Sequence, residues 1–205
     1  MSTEFTKVYN VFLSKITDDL YLELTPEDTI RDLRSLLLNS IPQFEFPRKN
    51  LDDYTIDTKV ISEGEVSDHD FVLGIVWNND EITDSGDIDE EEDEQEHEVM
   101  VEQSCFNVDL TTEEINILAL LMMCGWVQRQ VTSIENTRMK YSGSDFSMTS
   151  QANHLSKLMS LSTECQRQAF HMQRLYKRRR LNANGEYESN WDVLRNGIFG
   201  DYRGY

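Results

Sequence analysis

Four histidines, three cysteines and a long run of carboxylates are the side chains of this sequence that could do chemistry. Their spacing argues against it. His69, His97, His154 and His171 form no HExxH arrangement, and with Cys105, Cys124 and Cys165 they show no Cys/His zinc spacing. His154 and His171 fall on one predicted helix, roughly 25 Å apart, so they cannot share a site. No GxGxxG, phosphate-binding loop or GxSxG occurs. Carboxylates are dense between Asp80 and Glu98, where 12 of 19 residues are acidic. Such a block repels itself, stays solvated, and is a poor place to hold a general acid. It also fails as a calcium loop, because no Gly follows three alternating oxygen ligands and no Glu closes the loop. The chain is expected not to be an enzyme and to use no cofactor or metal.

What remains is the chemistry of recognition. Lys177, Arg178, Arg179 and Arg180 form a basic cluster at the end of a predicted helix. Such a cluster can contact phosphate, offset the helix dipole, or meet an acidic patch on a neighbouring copy. After it, Tyr187, Trp191, Phe199, Tyr202 and Tyr205 are scattered among Gly and polar residues with no periodicity. Aromatic rings are costly to leave in water, and Trp and Tyr anchor interfaces. Residues 182–205 therefore read as an extended tail that orders on a partner. These nine basic and aromatic residues are the candidate partner-binding set.

Composition agrees with a docking protein. The 205 residues are 39% hydrophobic and 28% charged, with a formal charge of −19, so some of the chain lies outside any core. Residues 1–137 carry 8 Lys/Arg against 32 Asp/Glu, or −24, and residues 138–205 carry 11 against 6, or +5. An acidic body repels nucleic acid and anionic membrane, whereas a dipolar chain suits stacking on a complementary surface. The odd number of cysteines, with no CxxC pair, fits reduced thiols, and Cys124 reads as a small hydrophobe in the most apolar run. Met-Ser-Thr-Glu-Phe begins no signal peptide, and Ile117–Cys124 is well short of the roughly 20 residues that span a bilayer. No membrane role is expected.

Several elements must position these residues. Phe5, Val8, Phe12 and Ile16 have helical spacing. Thr25 caps a second helix with Pro26 at its first position, Glu27 and Asp28 in its first turn, and Pro42 as its stop. Tyr54–Ile61 and Phe71–Trp77 read as strands of a small antiparallel sheet, a hairpin with a long loop, and Val99–Val101 with Phe106–Val108 as a returning strand. Thr111 and Glu114 form a capping box ahead of a helix running to about residue 141. A final helix, 150–178, carries Leu155, Leu158, Ser162, Cys165, Ala169, Met172 and Tyr176 in a heptad seam with small residues at its centre. The apolar run is expected to need either a surrounding bundle or subunit neighbours. The two long helices are expected to pack antiparallel, the small seam residues letting them approach, and the seam and tail to need neighbouring copies to complete their burial.

Glu135-Asn136, Tyr141-Ser142, Asp145-Phe146 and Ser150-Gln151-Ala152-Asn153-His154 lie in a segment resembling the helix–turn–helix hairpin of tailed-phage neck, or head–tail connector, proteins. Trp126, the acidic-start helix from Thr111, and Lys15-Ile16-Thr17-Asp18-Asp19 extend the resemblance, which is strongest over residues 126–180. It implies a subunit of a twelvefold ring beneath the portal, assembled in the host cytoplasm and resident in the virion neck. The implied partners are other copies of the chain, the portal protein and the next neck or tail protein. Genome DNA would be met only in passage.

The expected architecture is mainly α. A bundle contains two long antiparallel helices, a small β-sheet insertion and an extended C-terminal tail. Its parts are N-terminal helices at 1–43, a β region at 44–110 containing the acidic loop 80–98, a helical hairpin at 111–181, and the tail 182–205. The competing reading is an acidic protein-binding regulator or adaptor of an enzyme, with the seam as a dimer interface and the acidic arm as a DNA mimic.

Overall fold

The computed structural model describes residues 2–16, 21, 24–67, 70–76, 98–140, 149–181 and 187–189. They form a mainly helical protein with small antiparallel sheets. The chain divides into two compact units, one of residues 1–38 and 49–110, the other of residues 39–48 and 111–205. The acidic stretch 80–97, the turn 141–148 and residues 190–205 lie outside the described residues.

In the first unit, strand β1 (Thr3–Glu4) leads directly into helix α1 (Phe5–Leu13). Phe5, Val8, Tyr9 and Phe12 are fully buried, which is the predicted stripe with Tyr9 added. The helix stops before Ile16, because the Ser14 hydroxyl donates to the Val11 carbonyl at 2.8 Å. Helix α2 (Pro26–Ser40) starts where the sequence places it. The Asp28 backbone N–H donates to Thr25 Oγ1 at 3.2 Å, and Ile30, Leu33 and Leu37 are buried.

The strands depart from the expected hairpin. Tyr54–Ile61 is not one strand but two: β2 (Tyr54–Thr55) and β3 (Thr58–Ser62), in different sheets. Phe71–Trp77 appears as β4 (Val72–Val76), which does not pair with β3. Between them lies β5 (Glu98–Glu102), giving the order β3-β5-β4, antiparallel throughout. The reason is legible in burial: β5 alternates, with Val99 and Val101 buried, whereas β3 begins with exposed Thr58, Lys59 and Val60 and suits an edge. A second sheet has the order β1-β6-β2, with β6 (Cys105–Phe106) central. Both crossings between sheets are pinned together. The Gln103 N–H donates to the Asp57 carbonyl at 3.0 Å, and the Asp57 N–H donates to Ser104 Oγ at 3.2 Å.

The second unit holds helices α3 (Thr112–Lys140) and α4 (Thr149–Arg178), strands β7 (Arg179–Leu181) and β8 (Tyr187–Ser189), and residues 39–48. The capping box forms, with Glu114 N–H donating to Thr111 Oγ1 at 3.3 Å and Thr111 N–H donating to Glu114 Oε2 at 2.7 Å. Gly125 does not interrupt α3. Thr112–Ile134 is long and apolar enough to cross a membrane by length and composition, a wider stretch than the Ile117–Cys124 run alone. Within the chain 44% of that window is buried, Ile117, Leu118, Ala119 and Met122 fully so, and Glu114 and Gln128 bond to side chains of α4.

Contacts between α3 and α4 run in opposite chain order, Glu114 meeting Tyr176, Cys124 meeting Cys165, and Gln128 meeting Ser162. Along α4, Leu155, Ser162, Cys165, Ala169 and Tyr176 are buried, with Leu158 and Met172 half-buried. This corrects the expectation that the seam needs a neighbouring subunit. The small side chains of Ser162, Cys165 and Ala169 leave room for α3, whose apolar run fills it within one chain. Within the chain, α3 covers the seam.

Candidate functional site

The predicted basic cluster sits where α4 ends, and residues 39–48 fold around it. Phe44 is buried with its ring edge-on to Tyr176, centroids 5.5 Å apart. The Arg48 guanidinium lies 4.2 Å from the Tyr176 ring centroid and donates to the Tyr176 carbonyl at 2.7 Å and to the Arg179 carbonyl. It thereby satisfies carbonyls that a helix end leaves without intrahelical partners. The Glu45 N–H donates to Gln173 Oε1 at 2.8 Å, and Lys177 Nζ stands 3.7 Å from the Phe46 ring centroid. Arg179 reaches Glu113 at 3.6 Å.

Beneath this shell, the Tyr176 hydroxyl donates to Glu114 Oε1 at 2.5 Å. Burial first, and the adjoining Glu114 carboxylate second, push the Tyr176 phenol above its ordinary range. One carboxylate therefore serves both the capping box of α3 and the last full turn of α4. Its chemistry is structural, since every oxygen is already committed.

The predicted site residues divide three ways. Lys177 and Arg178 occupy the last turn of α4, where cations offset the dipole, and Arg179 and Arg180 lie in β7. Tyr187 begins β8, opposite Leu181, so the tail starts by folding back rather than by extending. Trp191, Phe199, Tyr202 and Tyr205 lie outside the described residues. Arg48, Phe44, Phe46 and Gln173 were not among the expected participants. Phe44-Glu45-Phe46 ahead of Pro47 carries an alternating signal that could have marked an extended, half-buried segment. A buried glutamine one position beyond Met172 in the stripe carries no such signal.

A second feature of α4 is what it leaves uncovered. Met159, Leu161 and Phe170 are exposed at 50%, 40% and 48%. At about 100° per residue, Met159 and Phe170 return to one side of the helix and Leu161 falls on the opposite flank of the seam. A cavity of about 410 Å³ in the first unit is lined by Ile30, Arg31, Arg34, Leu73, Gly74 and Met100 among others. Its two cations are already paired, Arg31 with Glu27 and Asp28, and Arg34 with Glu102, so it offers no vacant anion site. Among the described residues, no group of three His, Cys, Asp or Glu side chains converges on a metal position. Compared with known proteins, the chain matches no family model, no curated protein and no solved structure.

Proposed function

We propose that the protein is a non-catalytic structural subunit of a phage virion, forming a ring in the neck that joins portal to tail and lets DNA pass. In this reading α3 and α4 act as a rigid antiparallel helical hairpin, and neighbouring hairpins stand side by side. The observation that carries the reading is the pair of apolar flanks on α4, Met159 with Phe170 on one side and Leu161 on the other. A subunit whose seam is already filled and which still exposes large side chains on two unlike flanks suits head-to-tail contacts, the kind that close into rings. The sequence resemblance over residues 126–180 supplies the neck assignment.

The aromatic tail beyond Ser189 then straps onto the portal, and the −24 of residues 1–137 keeps DNA from adhering to the ring. Negative-stain microscopy of the chain mixed with its portal tests this. Rings seated on the portal are expected, and a chain that never joins it ends the reading.

A further inference from the structure

We propose that Cys124 and Cys165 form a reversible intramolecular disulfide, a modification site at which a small-molecule disulfide such as oxidised glutathione cross-links the two long helices. The inference is independent of the virion reading. The two sulfurs lie 2.7 Å apart, 41 residues apart in sequence, on facing turns of α3 and α4. Both are thiols. The small residues Ser162 and Ala169, one turn to either side of Cys165, are buried with it and let the helices approach closely there.

Burial alone favours inert packing, and a groove beside the pair opposes it. The groove, about 300 Å³, opens onto Cys124 and is lined also by Leu121, Gly125, Gln128, Gln166 and Phe170 among others. Gly125 contributes no side chain to its wall, and Gln128 and Gln166 offer amide partners to a peptide-like reagent. The two thiols share a hydrogen bond in which either sulfur can be the donor. Cys124, the sulfur that reaches the groove, is the attacking one once it has given its proton to solvent.

Its thiolate displaces one half of the reagent, forming a mixed disulfide and releasing one reagent thiolate. That thiolate takes the Cys165 proton, and Cys165 attacks the Cys124 sulfur and expels the second reagent half, which is protonated by solvent. Two protein thiols and one reagent disulfide become one protein disulfide and two reagent thiols. Cys105, half-buried in β6 of the other unit, takes no part.

The test exposes the folded full-length chain to oxidised glutathione, quenches it in acid, and counts thiols after unfolding. The expected result is a fall from three titratable thiols to one in wild type and from two to none in Cys105→Ser, each restored by dithiothreitol. A non-reducing peptide map should join the Cys124 and Cys165 peptides, and the oxidised chain should melt several degrees higher than the reduced one. Three thiols remaining, a glutathione adduct that persists on one cysteine, or a bond involving Cys105 would each overturn the proposal.

Discussion

Tyr176 ties the end of α4 to the start of α3 through one charge-assisted hydrogen bond, to a carboxylate that also caps α3. Tyr176→Phe leaves the packing intact but removes that donor, and is expected to cost about 2 kcal/mol in urea unfolding. Tyr9 makes the contrast. Its buried hydroxyl faces the Arg34 side chain without a hydrogen bond of good geometry, so Tyr9→Phe should cost less than Tyr176→Phe in the same assay. Burial raises both phenols, with the Glu102 carboxylate adding to the effect at Tyr9 and Arg34 offsetting it. A raised phenol contributes stability that is complete below the unfolded value of about 10 and is lost as pH rises through the folded value. Stability should therefore fall above about pH 10, and Tyr176→Phe should shallow that fall by about 1.4 kcal/mol per pH unit. An alkaline limb identical in the two proteins would count against a buried Tyr176. In the first unit Arg34 neutralises Glu102, whose side chain is fully buried. Arg34→Met strands that charge and should cost roughly 3 kcal/mol, whereas pairing it with Glu102→Leu should recover most of the loss.

At the scale of elements, the helices and the strand-bearing segments were legible and the strand pairing was not. Thr25, Pro26 and the Thr111–Glu114 box mark helix starts through bonds that a helix end needs locally, so a single sequence carries them. The alternation of the α4 seam likewise survives into the structure. Strand partners are non-local: nothing in Tyr54–Ile61 says that its two halves enter different sheets, because the switch at Asp57 is fixed by Gln103 and Ser104 some 47 residues later. The source of seam burial was misread for a related reason. Periodicity reports that a face is covered, not which helix covers it. Since α3 fills the seam, Ala169→Leu should overpack it and destabilise the monomer by about 2 kcal/mol. Met159→Asp with Phe170→Asp, on the exposed flank, should leave helicity and melting within a few degrees of wild type while abolishing assembly. A double variant that assembles normally would remove the flank from the interface.

For the whole molecule, the candidate docking surface is split between described and undescribed residues, and sequence reading reached only part of it. The aromatic residues were visible as ring types without periodicity. The clasp of Arg48, Phe44 and Phe46 around Tyr176 and Lys177 was not, because it joins residues 128 positions apart. The β7–β8 pairing separates two roles within the tail, a folded base and the aromatic residues beyond it. A chain ending at Ser189 keeps both strands, and it should assemble as wild type does yet fail to bind portal in co-sedimentation. The most direct measurement of the proposed neck role is the mass of individual particles of the chain, weighed one by one with and without a phage portal protein. Closed multimers of fixed copy number, twelve by the neck assignment and stacked on the portal when it is present, are the predicted result. A single-copy mass at every concentration, unchanged by portal, would contradict the ring-forming role.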